Sequence, residues 1–355
     1  MDVRQEIGKR LQAEMNRKGL EEPDLVKRAG LSPDCVSGYL CGRKEILFDE
    51  LTPICSALNI PIMRLLTRSQ PSPVRIAYRR TTQADRKAVA QAEDVFLWIE
   101  EFLPVFCRPS VELPHIDAIT DAQMLIAEVN AFVNRLKSHN SLLDYWYNTL
   151  GITLAGHRQV DVDPSGRKLD GLCLSDKQHT LVLVNTECPD VRLRFTLLHE
   201  LWHAVCDRNR DVPADHLPME LYDNDLSEEI KPEFCANKFA QFWIIPFEIA
   251  EQVADKINRS QRLTTQDVAE ALQDTGGSPD VLANAVYDVM RYRGNKKRPF
   301  ASIRDEIHSV ALNWSGDHST RNFVELKTQE LHKQLQGQRD SFGNHAWSII
   351  ESVIV

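Results

Sequence analysis

Residues 192–207 read Arg-Leu-Arg-Phe-Thr-Leu-Leu-His-Glu-Leu-Trp-His-Ala-Val-Cys-Asp, and inside them stands His199-Glu200-Leu201-Trp202-His203. On a helix, residues four apart lie one above the other, so His199 and His203 can each aim a ring nitrogen at one point. Such a pair suits zinc, which binds imidazole at about 2.0–2.1 Å and, in a catalytic site, keeps one position open to water. Glu200 follows its histidine directly and is placed beside the metal rather than on it. There its carboxylate can take a proton from water as a general base. The plain alternative is two core histidines with ordinary hydrogen-bond partners. Leu193, Phe195, Leu197, Leu198, Leu201, Trp202 and Val205 cover much of this helix with apolar groups, and a buried imidazole pair with neither metal nor hydrogen bonds would be costly among them.

The flanking sequence agrees. Thr180-Leu-Val-Leu-Val184 has the composition of a buried strand, and Cys188-Pro-Asp190 breaks it before the helix. With Ile152-Thr-Leu154 and Leu172-Cys-Leu174, set apart by turns at Asp163-Pro-Ser-Gly166 and Ser175-Asp-Lys177, it predicts a small antiparallel sheet beside the histidine helix. A third ligand is needed. A histidine ten residues after the first would fall at Asn209, so that class of zinc protease does not apply. The gluzincin arrangement, a glutamate from a second helix, remains. Glu220, Glu228, Glu229 and Glu233 are in range, and Glu233 opens a helical run that reaches Pro246, with Pro232 suited to the first helical position. Asn237, one turn on along the same face, can accept the other ring N–H of a ligand histidine. Cys206, three residues after His203, is a further possible donor. One zinc per chain is the expected cofactor.

Arg194-Phe195-Thr196 before His199-Glu200-x-x-His203, then Glu233-x-x-Ala236-Asn237-x-Phe239-Ala240 and Ile244-Ile245-Pro246, resemble the ImmA/IrrE family of zinc metallo-endopeptidases. The resemblance spans residues 75–295 and is closest over 150–250. It implies that His199, His203 and Glu233 bind zinc and that Glu200 is the catalytic base. The family usually carries small residues, Ala and Gly, before its two histidines. Leu198 and Trp202 stand there in this chain, and their bulk bears on how open the cleft is. In such proteases an edge strand grips an extended substrate through main-chain hydrogen bonds. The developing oxyanion needs one further donor, for which Tyr222 and His216, in the stretch from Asp211 to Asp225, are the candidates.

Residues 1–68 read as five short helices. Ile7, Leu11 and Met15 recur at helical spacing, Gly19 and Gly30 end the first two helices, and Ser32-Pro33 opens the third with an N-cap and a proline at the first position. Gly19-Leu20, Leu25, Ala29-Gly30-Leu31-Ser32, Val36-Ser37, Gly42-Arg43 and Leu51-x-x-Ile54-x-x-Ala57-Leu58-Asn59-Ile60 resemble the helix-turn-helix of the XRE and lambda-repressor type, whose third helix enters the major groove. Lys27, Arg28, Arg43 and Lys44 are the candidate phosphate contacts, and Ser37 and Tyr39 the candidate base contacts. Glu22 stands where that family carries a phosphate-contacting Gln, and Asp34 opens the recognition helix. Acidic groups there oppose binding that rests on neutralising phosphate charge.

Ser69-Gln-Pro-Ser-Pro73 is a linker, and residues 74–80 read as an edge strand or connector. Residues 84–103 and 119–137 are expected to be helical. The basic runs Arg79-Arg80 with Arg86-Lys87, and Arg291-Tyr-Arg-Gly-Asn-Lys-Lys-Arg298, read first as a solvated helix face and a charged boundary. The apolar end Ser348-Ile-Ile-Glu-Ser-Val-Ile-Val355 must pack on its own domain or across a homodimer. Eight cysteines without a C-x-x-C pair argue against a zinc ribbon and for free thiols. A formal charge of −9 speaks against nucleic-acid binding by the whole surface. Neither a membrane span nor a signal peptide is legible, so the expected location is cytoplasmic, with no membrane partner.

The expected fold is α+β and mostly helical. A helix-turn-helix occupies 1–68, a linker 69–78, a zincin-like (gluzincin) domain with a small sheet 79–295, and a helical segment 296–355. The expected function is a transcriptional regulator that binds DNA and cleaves a partner protein, a repressor or antitoxin. The alternative is a non-catalytic repressor or antitoxin whose peptidase-like domain senses metal or holds a partner.

Overall fold

The computed structural model describes residues 3–66, 75–78, 95–96, 98, 151–157, 170–175, 179–204, 231–259, 261–273, 275, 277–294, 298–311 and 319–354. They fall into two compact units, one built from the helices before residue 67, the other from residue 75 onward except for residues 95, 96 and 98.

The first unit is all helical: α1 (Val3–Arg17), α2 (Glu22–Ala29), α3 (Pro33–Leu40), α4 (Phe48–Leu58) and α5 (Ile62–Leu66). Local chemistry sets the boundaries. The Glu21 N–H donates to the Asp24 carboxylate at 3.0 Å, Ser32 Oγ accepts from the Cys35 N–H at 3.3 Å, and the Leu47 N–H donates to Glu50 at 3.0 Å. Gly30 ends α2 at φ 67°, a left-handed conformation that favours glycine. Leu11, Met15, Leu25, Val36, Ile54 and Leu58 fill the core, one from each turn that faces inward. Arg64 pairs with buried Glu14 at 2.9 Å, and Arg10 donates to the Leu65 carbonyl at 3.0 Å, which fastens α5 to α1.

The second unit begins with a four-stranded sheet in the order β1-β3-β4-β2: β1 (Arg75–Tyr78), β2 (Ile152–His157), β3 (Gly171–Ser175) and β4 (Thr180–Asn185). The expectation of a wholly antiparallel sheet is corrected: β1 and β4 flank β3 antiparallel, but β2 pairs with β4 in parallel, Leu154 opposite Val182. The physical reason is burial. Every residue of β2, β3 and β4 is buried, and strands covered on both faces are the ones that tolerate parallel pairing. β1 takes up residues 75–78, within the stretch 74–80 read from the sequence as an edge strand or connector.

Among the described residues eight helices follow: α6 (Asp190–Trp202), α7 (Lys231–Ile244), α8 (Phe247–Asn258), α9 (Thr265–Gln273), α10 (Pro279–Tyr292), α11 (Phe300–Val310), α12 (Ser319–Gly337) and α13 (Arg339–Val353). α6 packs on β3, β4 and α7, and α10 on α7, α8 and α11. Residues 298–311 and 319–354, in which the sequence offers no motif, are bound into this unit. α12 packs on β2 and α6, and the Gly156 N–H donates to Thr328 Oγ at 2.7 Å. Arg321 donates to the Asp190 carboxylate and the Thr186 carbonyl, and to the Cys188 carbonyl at 2.6 Å, so it braces the turn that enters α6. Ile350, Val353 and Ile354 are buried, and Ile354 bridges His157 on β2. The apolar C-terminus therefore packs on its own unit. No helix among the described residues is long and apolar enough to cross a membrane.

Among the described cysteines, residues 35, 41, 55, 173, 188 and 235 form no disulfide. Burial pushes the Cys55 thiol up to about 12 and, reinforced by Asp170, the Cys188 thiol up to about 11, so both stay protonated and inert at neutral pH.

Candidate metal centre

α6 starts after Pro189, its entry held by Arg321, and runs unbroken to Trp202. His203 keeps helical angles, φ −61° and ψ −42°. The two histidines thus stand one turn apart, with Nε2 to Nε2 3.1 Å. α7 brings the third group from the second helix. Glu233 Oε2 lies 3.2 Å from His199 Nε2, and Glu233 Oε1 3.1 Å from His203 Nε2. Among the described residues these three are the group able to hold a metal, with donor atoms all within 4.8 Å of one another. His199, His203 and Glu233 are 0%, 2% and 4% exposed, so their charges are not relieved by bulk water.

The donor set fits a cation. Asn237 Oδ1 lies 3.2 Å from His199 Nδ1, and a carbonyl oxygen only accepts, so Nδ1 carries the ring proton. A neutral His199 then presents a bare Nε2 lone pair to a carboxylate oxygen at 3.2 Å, a repulsive arrangement unless a cation lies between them. Donors held by a tetrahedral zinc at 2.0–2.1 Å stand about 3.3–3.4 Å from one another, close to the separations here. Burial alone would push the Glu233 carboxyl up. Were both rings protonated, the positive charge of His203 and His199 and their hydrogen bonds would outweigh burial and hold the carboxyl well below the usual carboxylate range; a cation between the donors supplies that charge with the rings neutral.

Glu200 is fully buried on α6 next to the first histidine. A Cβ on Gly171 would stand 2.4 Å from Thr196 Cγ2, 2.8 Å from Glu200 Cγ and 3.0 Å from Glu200 Oε1, so only glycine lets β3 run this close to the glutamate. Gly171 escapes a reading for functional residues, yet its signal is present: a single glycine ahead of an apolar strand marks close approach of backbone to something. The preceding Asp170 pairs with Arg192 of α6 at 2.5 Å, and the Asn185 N–H donates to its carbonyl at 2.8 Å. The residue just before β3 is therefore fastened to both α6 and β4 at the start of that approach.

Leu198 and Trp202, bulkier than the residues usual at their positions, point into the core at 3% and 2% exposure, and the Trp202 ring lies 5.5 Å from Phe239 of α7. Their volume fills the α6–α7 contact. On its other side α7 is held by a buried charge: Lys238 Nζ and Gln241 Nε2 donate to Asp288 of α10 at 2.5 and 2.6 Å, with Asp288 1% exposed. Glu233 and Asn237 share one face of α7 and Lys238 and Gln241 the adjacent one, so this ion pair helps to set how α7 presents its site residues.

Tyr222 and His216 lie outside the described residues, as do Glu220, Glu228, Glu229, Cys206, the basic run 79–87 and the expected helix 119–137. In the first unit Lys27, Arg28, Arg43 and Lys44 are exposed and Ser37 half-buried. Tyr39 is corrected: at 2% exposure it belongs to the core, where burial and a hydrogen bond to Glu50 push its phenol above the ordinary value, and its ring is not offered to a base edge. Lys44 lies over α3, its side chain against Gly38 and its Nζ 3.6 Å from Cys35 Sγ.

No curated protein and no solved structure matches the chain. Residues 160–284, which carry β3, β4, the two histidines, Glu200, Glu233 and Asn237, match the family model of the IrrE N-terminal-like domain, Peptidase_M78, and it is to that domain that this part of the chain is similar.

Proposed function

We propose that the chain is a regulator in which a zinc-dependent endopeptidase of the gluzincin type, built from the second unit, cleaves a partner protein such as a repressor or antitoxin. A helix-turn-helix of the XRE type, built from α2 and α3, brings it to DNA. The observation that carries the reading is the convergence of two imidazoles and a carboxylate on one point with a fourth group, Glu200, buried beside them. A purely structural cation site needs no such group. His199, His203 and Glu233 would hold the zinc, and Asn237 would fix the tautomer of His199. Zinc, when bound, supplies a Lewis acid that polarises a carbonyl and acidifies water. Glu200 accepts a proton from the attacking water as the carbon–oxygen bond forms, and returns it to the amide nitrogen as the carbon–nitrogen bond breaks.

The test of the site is metal content. Purified protein is expected to hold close to one zinc per chain by atomic absorption, and His199→Ala, His203→Ala and Glu233→Ala each to lose most of it, since three-ligand sites rarely survive the loss of one donor. Full occupancy in Glu233→Ala would remove that residue from the site. Gly171→Ala touches no donor, so zinc should stay. The added methyl must displace Thr196 or Glu200, and a base misplaced by about 1 Å is expected to lower cleavage about 10²-fold. Unchanged turnover would mean that β3 gives way without moving Glu200.

For the first unit, DNA affinity is expected to fall steeply with added salt. Arg43→Ala should weaken binding to all sequences alike, and Ser37→Ala should alter sequence preference. A chain that binds no DNA at low salt but still captures a protein partner would leave α1–α5 as a docking module. One observation favours a second reading, a non-catalytic repressor or antitoxin that senses metal or holds a partner: His199, Glu200, His203 and Glu233 are all buried. The Glu200 substitution taken up in the Discussion separates the two.

A further inference from the structure

β3 is the strand that touches the proposed base, through Gly171. Of its two sides, one pairs with β4 and is closed inside the sheet. Its outer side is the place where an extended chain would pass nearest to Glu200. That side is taken by β1, antiparallel, with Arg75 opposite Ser175 and Tyr78 opposite Leu172, one position short of Gly171. A chain added to the other side of β1, which no described strand occupies, would lie one strand further out, about 4.8 Å, from Gly171. That offset exceeds the roughly 3–3.5 Å over which reacting groups must meet. β1 is four residues long and lies at the edge of the sheet, the kind of element that opens locally without global unfolding.

In proteases of the kind proposed above an edge strand grips an extended substrate; we propose that in this chain β1 is an internal competitor for that grip, a strand of the chain itself lying at the outer edge of β3 where an extended segment of a polypeptide partner would add. Recognition is through main-chain hydrogen bonds, so the site takes a stretch of chain held in β conformation and selects little by sequence at this edge. Binding then requires β1 to leave, and the fraction of molecules with β1 detached sets the apparent affinity. The strand register carries the binding site by itself. Its consequence for cleavage rests on the peptidase reading above.

The probe is a fluorescein-labelled synthetic peptide with the sequence of residues 74–80, Val-Arg-Ile-Ala-Tyr-Arg-Arg, titrated with full-length zinc-loaded protein and followed by anisotropy. Casein cleavage is measured alongside. Adjacent residues of a strand point their N–H groups to opposite sides, so the double substitution Ile76→Pro, Ala77→Pro removes a β3-facing donor in either phase and leaves β3, β4 and β2 untouched. The variant is expected to bind the peptide about tenfold more tightly than wild type, as when β1 is detached in about one molecule in ten. A second variant, Ala77→Cys, places a cysteine at the register position opposite Cys173, and cross-strand neighbours can form a disulfide. Oxidised, it should bind no peptide, and reduction should restore binding to the wild-type level. Equal peptide affinity in wild type, the proline variant and the oxidised Ala77→Cys protein, or no binding by any of them, would overturn the proposal. Tight binding by the proline variant with casein left whole would keep the proposal and remove the peptidase reading.

Discussion

Glu200→Gln is expected to keep its zinc and lose its cleavage. Glutamine matches glutamate in size and can hydrogen-bond, so the Gly171 approach and the three donors on α6 and α7 stay as they are. What disappears is the site that accepts a proton. General-base assistance is worth about 10²–10⁴-fold, and the same carboxylate also returns the proton to the leaving amine, so turnover of a protein substrate should fall by at least that much. The measurement is paired: zinc per chain by atomic absorption, and cleavage of the proteins encoded beside this one. Two outcomes decide between enzyme and binder. Retained zinc with lost cleavage establishes Glu200 as the base. If the regulatory output in cells survives Glu200→Gln but not His199→Ala, the metal is structural or sensory, and the chain acts by binding.

Asp288→Ala is expected to destabilise the second unit by about 3–5 kcal/mol, because it breaks a buried ion pair and removes the carboxylate that Lys238 and Gln241 share. Lys238 is 6% and Asp288 1% exposed, and Asp288 also accepts from Gln241. The nearby Phe234 ring, 5.2 Å from Lys238 Nζ, cannot replace a carboxylate. Urea unfolding should be followed by tryptophan fluorescence, since five of the six tryptophans belong to the second unit and Trp98 alone to the first. Work in chelator keeps zinc binding from adding to the apparent stability. Lys238→Met with Asp288→Leu removes both charges and should recover most of the loss, as replacing a buried pair by apolar groups often does. A loss below about 0.5 kcal/mol in Asp288→Ala would place the Lys238 ammonium in contact with water after all.

The sequence by itself determined the parts of this protein that depend on short separations along the chain. His199 and His203 are four apart in an apolar helical run, so a helix puts them on one face whatever surrounds it. Glu233 and Asn237 repeat that relation on a second helix, and Ser32-Pro33 and Gly30 mark helix ends by their own backbone and side-chain chemistry. Tertiary structure decided what depends on meetings between distant segments. No spacing says that residue 171 must pass within van der Waals contact of residue 200, because the requirement lies in the gap between β3 and α6. No periodicity tells a buried strand to pair parallel, because the hydrophobic run is the same either way and the choice falls to the layers that cover it. Tyr39 has the amphipathic ring of a contact residue, and only the packing of five helices around it sends that ring inward. Asp288 is an ordinary acidic residue on a helix until α7 places Lys238 and Gln241 against it, and β1 is four residues of connector until the outer edge of β3 offers it hydrogen bonds.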